Sequence, residues 1–193
     1  MDDLIIISDV RPTRVDAVRN RDHILQIART LFDSQGVEAV TMTTIAQEAG
    51  VGKGTLYRNF PDKLSLCQEL LDHEQRDLQN RTLANLRAGV VSPLEALVWF
   101  LENALMFVWR NLDFISGGDA VIPLEHPAHY WWRQTLRGLI VQINATVDPD
   151  YLADVLYVLL DPRVIRYQRD AHHYDQAHIA DQITQIARRL LTP

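Results

Sequence analysis

The most informative part of this sequence is Thr41-Met-Thr-Thr-Ile-Ala-Gln-Glu-Ala-Gly-Val-Gly-Lys-Gly-Thr-Leu-Tyr-Arg-Asn59. Threonine is a good helix cap, and Ile45, Ala46 and Ala49 follow it at helical spacing. Gly50 then permits the positive φ that a tight turn between two helices requires. The stretch therefore predicts a helix-turn-helix, in which two short helices are joined at a steep angle.

The second helix of this stretch is expected to bury Leu56, which together with Val51 anchors it on the first helix. Its outward side chains are small, polar, or aromatic with a polar tip, namely those of Gly52, Lys53, Thr55, Tyr57 and Asn59. Such a face suits the major groove of DNA. Gly52 and Gly54 each cost roughly 1 kcal/mol relative to alanine near a helix start. They indicate a close approach of the backbone to another group, for which a phosphate chain is the natural candidate.

Apolar residues recur at helical spacing along most of the chain, and strand-like alternation is almost absent. The first stripe, from Ile24 to Phe32, precedes the helix-turn-helix and ends at Gly36. Later stripes lie at residues 94–105, 136–143, 152–159 and 179–190, and breaks lie near residues 89–93, 111–127, 148–149 and 161–173. We therefore predict an all-α protein of about nine helices, in which Pro162 either kinks a long helix or separates two shorter ones.

The charge distribution excludes a protein that is basic throughout, because the formal net charge is −6. Residues 11–63 hold eight basic and six acidic residues, a net of +2, whereas residues 64–193 hold eleven basic and sixteen acidic residues, a net of −5. A mildly basic end on an acidic body suits one DNA-facing pole. The composition, 47% hydrophobic and 23% charged, is that of a folded globular protein.

Nothing in the sequence indicates secretion or membrane insertion. Cys67 is the only cysteine, so no intrachain disulfide can form. The apolar run at residues 4–7 is too short for a signal peptide, and no stretch approaches the 18 apolar residues of a membrane span. We expect a cytoplasmic protein without a membrane partner.

Two groups of residues are weak candidates for a metal centre. They are Glu125, His126 and His129, and His172, His173 and His178. Neither spacing matches a zinc signature, and no nucleotide-binding glycine loop or nucleophile elbow occurs. His126 followed by Pro127 instead fits the start of a helix. We therefore expect no enzyme, no metal and no cofactor; a metalloenzyme would require a metal bound at these histidines.

Residues 21 to about 66 resemble the tetracycline-repressor (TetR) family. The family signature consists of a threonine before the first short helix, Ile-Ala, Ala-Gly-Val, and Lys-Gly-Thr-Leu-Tyr followed by a phenylalanine and a lysine. The matching residues are Thr41, Ile45, Ala46, Ala49, Gly50, Val51, Lys53, Gly54, Thr55, Leu56, Tyr57, Phe60 and Lys63. The resemblance identifies the chain as a bacterial one-component transcription regulator.

The resemblance also implies a domain organisation. Residues 20–66 would form a three-helix helix-turn-helix DNA-binding domain, and residues 67–193 a helical bundle for effector binding and dimerisation. We interpret residues 1–19, which lack a helical period and contain Pro12, as a flexible arm. Its arginines make it either a solvated tail or a segment that enters a minor groove.

Roles in DNA binding follow from the resemblance position by position. Thr43, Lys53 and Thr55 would lie nearest the base edges, and Gly54 lies between the last two. The residues that would meet phosphates are Thr41, Tyr57, Asn59 and Lys63. Where many relatives carry a bulky tyrosine or histidine, this chain has Arg58 and Asn59.

The predicted helix at residues 94–110 is apolar on more than one face. A second row, formed by Trp99, Asn103, Met106 and Arg110, recurs at i, i+4, i+7 and i+11. Large apolar residues with a few polar groups fit the wall of a ligand pocket, although packing against a neighbouring helix would produce the same row. Tyr130, Trp131 and Trp132 are a second candidate for a pocket wall or a dimer surface.

The sequence therefore predicts a homodimeric repressor that binds a near-palindromic operator and is released by a small apolar effector. Stripes at residues 152–159 and 179–190 are the candidate dimer surface. The alternative is the same DNA-binding head over a fully packed bundle, controlled by a partner protein or by nothing.

Overall fold

The computed structural model describes residues 14–116, 127–144 and 146–192, and the regular structure within these ranges is entirely helical. The helices are α1 (Arg14–Gln35), α2 (Met42–Glu48), α3 (Lys53–Asn59), α4 (Lys63–Ala88), α5 (Pro93–Arg110), α6 (Leu112–Ser116), α7 (Pro127–Ile143), α8 (Pro149–Val158), α9 (Pro162–His172) and α10 (Gln176–Leu191). The all-α prediction is confirmed, with ten helices in the described residues where about nine were expected.

Side-chain caps determine where several of these helices begin. The Ser92 hydroxyl accepts a hydrogen bond from the Glu95 backbone N–H at 3.3 Å, and the Glu95 carboxylate accepts one from the Ser92 N–H at 3.0 Å. This reciprocal pair is a capping box at the start of α5. The carboxylates of Asp148 and Asp175 occupy the N-cap positions of α8 and α10 and accept hydrogen bonds from backbone N–H groups there.

Helix α9 lies where the sequence analysis expected a break, at residues 161–173, so that expectation is wrong. Asp161 caps α9 and Pro162 begins it, which means that Pro162 separates two helices instead of kinking one. The apolar pattern does not predict this helix because its sequence is mostly polar. Of its residues only Ile165 is fully buried, which is too little to form a visible stripe.

Helix α1 begins at Arg14, so the predicted arm at residues 1–19 is too long by six residues. Residues 1–13, with Arg11 and Pro12, lie outside the described part of the chain. No glycine or proline occurs between Pro12 and Gly36. Nothing in the sequence therefore prevents α1 from extending towards the N-terminus beyond the first residue of its apolar stripe.

The chain divides into two compact units, Met1–Leu70 and Leu71–Pro193, with the boundary inside α4. In the N-terminal unit, α1 packs on α2 and α2 packs on α3. The side chains buried there include Ile24, Ala28, Phe32, Ile45, Ala46, Leu56, Phe60 and Leu66. Gly36 has a φ of +81° and ends α1, as predicted.

The C-terminal unit is built around α5, which packs against α7, α9 and α10, while α7 also packs against α8. Its core contains Leu78, Leu97, Phe100, Leu101, Leu105, Trp132, Leu136, Ile140, Leu156, Ile165, Ile183 and Ala187. Within the described ranges, no helix is long and apolar enough to cross a membrane.

The two stripes predicted to form the dimer surface contribute partly to this core. Leu152 and Leu156 of α8 are buried, as are Ile183 and Ala187 of α10. The exposed apolar side chains on the same helices are Tyr151, Val158, Ile186 and Leu190. A dimer surface on these helices stays a prediction, and these exposed side chains are the ones that would form it.

Candidate nucleic-acid interface and effector site

The first helix of the helix-turn-helix begins as predicted. The Thr41 hydroxyl oxygen accepts a hydrogen bond from the backbone N–H of Thr44 at 3.1 Å, and the Thr41 backbone is extended. Ile45 and Ala46 are buried on the inner side of α2. Thr41 is exposed and Thr43 is half-buried, so both hydroxyls lie near the start of the helix and close to the surface.

The turn between α2 and α3 satisfies the backbone groups that end the first helix. Gly50 has a φ of +65°, as its position in the sequence predicted. Its N–H donates to the Gln47 carbonyl at 3.1 Å, and the Val51 N–H donates to the Ala46 carbonyl at 3.0 Å. This pair of bonds is a Schellman motif, which fixes the direction in which the chain enters α3.

Helix α3 has one buried and one open side. Leu56 is completely buried, and it is the only fully buried side chain of the helix. The exposed residues are Lys53, Gly54, Tyr57 and Arg58, and those half-buried are Thr55 and Asn59. The predicted outward face is therefore incomplete, because it omitted Arg58. It is correct for Gly52, Lys53 and Tyr57, and only partly correct for Thr55 and Asn59.

Two glycines lie at the start of α3, and they differ in what explains them. A Cβ atom added at Gly52 or at Gly54 would meet none of the described atoms within 4 Å beyond the neighbouring backbone, and neither glycine has a positive φ. Gly52 is the N-cap of α3, a position where glycine is favoured over alanine, so capping explains it. Gly54 lies inside the helix, where alanine would cost less in helix stability, so its presence agrees with a requirement imposed from outside the chain.

Asn59 uses its side chain within α3. Its Nδ2 donates to the Thr55 carbonyl at 2.8 Å, and its own carbonyl accepts a hydrogen bond from Arg21 Nη1 at 3.0 Å. The amide oxygen of Asn59 remains at the half-buried surface. A phosphate contact by Asn59 stays a prediction.

Arg21 of α1 positions the end of α3, a role that the sequence analysis missed. Its guanidinium also pairs with Glu69 at 3.1 Å and lies 4.6 Å from the centre of the Phe60 ring. A cation that donates to the last carbonyls of a helix stabilises that helix terminus. The only signal in the sequence was an arginine one turn ahead of the apolar stripe of α1, which is not specific.

Lys63 begins α4, and its ammonium group donates to the Val37 carbonyl. Asp62 caps the helix by accepting from the Ser65 N–H at 2.7 Å, and this bond lowers the pKa of the Asp62 carboxyl. Pro61 lies outside the helix, just before the cap. Lys63 is half-buried, and its contact with a phosphate stays a prediction.

The second row of α5 lies along the side of that helix that faces α4. Asn103 Nδ2 donates to the Trp99 carbonyl at 2.8 Å, while Asn103 Oδ1 accepts from Arg81 Nη1 at 2.8 Å. Arg110 pairs with Glu74 at 3.8 Å, and Met106 is 49% exposed. Both polar functions of Asn103 are thus used by the chain itself, and the row is not enclosed at Met106.

A cluster of aromatic rings lies where α7 meets α4 and α5. Trp132 of α7 is edge-on to Phe107 of α5, with ring centres 5.6 Å apart, and Trp132 Nε1 donates to Gln75 Oε1 at 3.0 Å. Gln75 is buried, and its Nε2 has no hydrogen-bond partner among the described residues. Trp131 is half-buried and Tyr130 is exposed, so the three adjacent aromatic residues point in different directions, as expected.

The predicted absence of a metal centre applies to residues that the structure describes only in part. Glu125 and His126 lie outside the described residues. His172, His173 and His178 are exposed around the turn between α9 and α10, and His129 is half-buried in α7. In the described part of the chain, no three histidine, cysteine or carboxylate side chains are grouped as metal ligands.

Known proteins match most of this chain. The sequence model of the bacterial regulatory proteins of the tetR family matches residues 24–70. An HTH-type transcriptional regulator of Staphylococcus aureus (strain bovine RF122) is 52% identical over 165 residues, which are 83% of this chain and 88% of that protein.

Solved structures have the same fold. A TetR/AcrR-family regulator from Thermobifida fusca has a TM-score of 0.69 at 21% identity, covering 88% of this chain and 96% of its own. A γ-butyrolactone receptor has a TM-score of 0.55 at 25% identity, covering 88% of this chain and 98% of its own. The helix-turn-helix geometry, the family match and the staphylococcal relative agree: the chain belongs to the TetR family and is a DNA-binding transcriptional regulator, not an enzyme.

Proposed function

We propose that this regulator is a ligand-responsive repressor that binds a near-palindromic operator as a homodimer. A small apolar effector would bind in the C-terminal unit and favour an arrangement of the two reading heads that does not fit the operator. The observation that carries the effector proposal is the buried amide of Gln75, which has a free donor among aromatic rings. A repressor of this kind acts where the operator DNA lies, which in a bacterium is the cytoplasm.

The proposed DNA interface is the exposed side of α3 together with the starts of α2 and α4. Thr43, Lys53 and Thr55 would read base edges, and Gly54 would allow close approach of the backbone. The residues that would meet phosphates are Thr41, Tyr57, Asn59 and Lys63. Gly54 supports this placement, because none of the described residues gives a reason for glycine at that position, whereas Gly52 is explained by its place at the N-cap of α3.

Selection of bound sequences from a random DNA pool tests the interface. Phosphate contacts affect all sequences alike, whereas base contacts discriminate between them. Lys63→Ala should weaken binding to every sequence and reduce the slope of log K against log salt by about one unit per contact, or about two per dimer. Thr55→Ala should instead relax the selected motif at one position in each half-site.

Gln68→Ala is the matched control, because Gln68 is exposed on α4 of the same unit and lies outside the proposed interface. It should leave both the motif and the salt slope unchanged. If Lys63→Ala and Thr55→Ala produced the same uniform loss with an unaltered motif, the division between positioning and reading would be wrong.

Dimerisation is proposed because one recognition helix reads only a few base pairs, so useful specificity requires two heads related by a twofold axis. Exposed apolar side chains on α8 and α10, such as Val158 and Leu190, support a subunit contact there. Sedimentation at micromolar concentration should give a dimer. A monomer that binds a single half-site tightly would overturn this part of the proposal.

The effector proposal concerns two candidate linings in the C-terminal unit. One is the row of Trp99, Asn103, Met106 and Arg110. The other is the aromatic cluster around Trp132, where the free Nε2 of Gln75 calls for a hydrogen-bond acceptor on the ligand. One structural relative is a γ-butyrolactone receptor, and a lactone with an alkyl chain offers both an acceptor and an apolar body.

Alkyl γ-butyrolactones are therefore the first probe. Binding should raise the melting temperature by mass action and should weaken operator binding by reciprocity. If the ligand lies beside Trp132, then Trp132→Phe should abolish the change in tryptophan fluorescence and Trp99→Phe should not. The opposite result would place the ligand at the α5 row, and Asn103→Leu should then change ligand choice.

A second candidate is a regulator of the same operator that binds no ligand and is controlled by a partner protein. The commitment of Asn103 to Arg81 and Trp99 favours it, because the row then serves packing only. Screening the purified protein against an apolar small-molecule library by thermal shift decides between the two. A hit that also weakens operator binding excludes the second candidate.

A further inference from the structure

Arg58 occupies the middle of the open side of α3. Each residue advances about 100° around a helix, so Arg58 lies roughly opposite the buried Leu56, and Gly54 lies beside Arg58 on the same side. Leu56 is completely buried whereas Arg58 and Gly54 are both exposed. The side chain best centred on the surface offered to DNA is therefore the guanidinium of Arg58.

The guanidinium is held along the helix by one edge of its fork. Arg58 Nε donates to the Gly54 carbonyl at 3.1 Å, and Arg58 Nη2 donates to Thr55 Oγ1 at 3.3 Å. These two bonds fix the direction of a long side chain that would otherwise sample many rotamers. Ordering it on binding therefore costs less conformational entropy than for a freely rotating arginine.

The other edge of the fork stays available. Arginine has five N–H donors in one plane, and the two bonds to α3 use the Nε side only. The end of the fork, formed by Nη1 and the second Nη2 hydrogen, has no acceptor among the described residues. Two parallel N–H groups match the O6 and N7 acceptors of guanine in the major groove, which is the commonest specific contact of arginine with DNA.

Gly54 makes this contact sterically possible. An alanine at this position would add a Cβ on the open side of α3, next to the carbonyl on which Arg58 rests. None of the described residues fills that space. The absence of a side chain allows a base edge to approach the helix at the height of the guanidinium.

We propose that Arg58 is a specificity-determining residue that reads one guanine in each half-site through O6 and N7. Thr55 supports it, because the hydroxyl oxygen accepts from Nη2 and so turns its own proton away from Arg58. The inference rests on the proposed placement of α3 in the major groove. It differs from the family-based assignment, which named Lys53 and Thr55 as the base-reading residues of this helix.

The test compares wild type with Arg58→Ala and Arg58→Gln on the selected operator and on all its single-base variants. Wild type should prefer guanine at one position per half-site by roughly 5- to 150-fold. Arg58→Ala should lose this preference at that position alone. Arg58→Gln should shift the preference there from guanine to adenine, because glutamine pairs with adenine N6 and N7.

Thr55→Val tests whether the Thr55 hydroxyl supports Arg58, since it keeps the shape of the side chain and removes the hydroxyl. It should weaken the guanine preference at the position that Arg58 controls, and combining it with Arg58→Ala should cause no further loss there. Arg87→Gln is the matched control, because Arg87 is exposed in the last turn of α4 and belongs to the C-terminal unit. It should change no base preference.

Two results would overturn the inference while leaving the regulator assignment intact. One is a uniform loss in Arg58→Ala with a salt slope reduced by about one unit per head, which would make Arg58 a phosphate contact. The other is an unchanged motif in both Arg58 variants. If wild type selected no motif at all, the proposed operator recognition would fail first, and the inference would fail with it.

Discussion

The two units of this regulator differ in where their notable polar side chains point: outward from α3 in the N-terminal unit, and into the core in the C-terminal unit. In the N-terminal unit, α3 buries a single leucine and turns Lys53, Tyr57 and Arg58 outward. In the C-terminal unit, several polar side chains point inward, and Gln75, Asn111 and Thr82 are buried in contact with neighbouring helices or their own backbone. An outward polar side chain that packing does not explain indicates a functional contact directly. For a buried polar side chain, a role in packing has to be excluded before a function is inferred.

The largest effect is expected from a core change in the N-terminal unit. Leu56→Ala removes the only fully buried side chain of α3 and should destabilise that unit by about 2–5 kcal/mol. Cys67 lies buried in the same unit, so its reaction with a thiol reagent should accelerate as the unit opens more often. All four tryptophans, Trp99, Trp109, Trp131 and Trp132, lie in the C-terminal unit, and their fluorescence transition should not move.

The matched control is Leu64→Ala, because Leu64 is 67% exposed in the same unit and should cost little. If the fluorescence transition fell together with the thiol protection in Leu56→Ala, the two units would unfold as one cooperative system. The comparison of two separately stabilised regions would then be broken.

Much of the fold could be predicted from the sequence because α1, α5, α7, α8 and α10 carry their apolar residues at helical spacing. The caps Thr41 and Gly50 were legible for the same local reason: a threonine hydroxyl and a glycine at positive φ act within a few residues of themselves. Helix α9 was not legible, since Ile165 is its only fully buried residue. Its stability depends on packing with α5 and α6, which no local pattern reports.

The candidate site shows the same limit. The residues of the helix-turn-helix were found through a motif, but Arg21 and Arg58 were missed. Arg21 acts across 38 and 48 positions of sequence, on Asn59 and Glu69, and such pairs leave no spacing to recognise. Arg58 was passed over because it departs from the family pattern, so the resemblance assigned it no role.

A moderate effect is expected in the C-terminal unit at the pair of Gln75 and Trp132. Gln75→Leu leaves the buried Trp132 Nε1–H without an acceptor, which costs about 1–3 kcal/mol. Adding Trp132→Phe should recover part of the loss, because neither polar partner then remains. Urea unfolding followed by circular dichroism and by the remaining tryptophans measures both variants.

Gln142→Leu is the control for this pair, since Gln142 is exposed and its side chain bonds only to its own helix. Greater stability in Gln75→Leu alone would mean that the unpartnered Nε2 costs more than the tryptophan bond contributes. That outcome would sharpen the contrast between the units, because it would identify an amide kept in the core at the expense of stability, as expected for a ligand contact.

The smallest effect concerns pH and returns to the N-terminal unit. Burial raises the pKa of the Cys67 thiol to about 11 from its ordinary value of 9, and the nearby positive charges of Lys63 and Arg29 offset only part of the shift. A group whose pKa is higher in the folded state stabilises that state fully below its unfolded pKa. The contribution should therefore be complete below pH 9 and lost as the pH rises from 9 towards 11.

Cys67→Ala isolates this contribution, because lysine and tyrosine side chains titrate over the same range in both proteins. The difference in unfolding free energy between wild type and Cys67→Ala should shrink as the pH rises from 9 to 11. It is measured from the circular-dichroism transition of the N-terminal unit, which requires no thiol reagent. The tryptophan transition should show no such difference, since Cys67 belongs to the other unit. A difference that stays constant across this range would mean that the thiol ionises as easily in the folded unit as in the unfolded chain, and hence that water reaches Cys67 through the contacts between α4 and its neighbours.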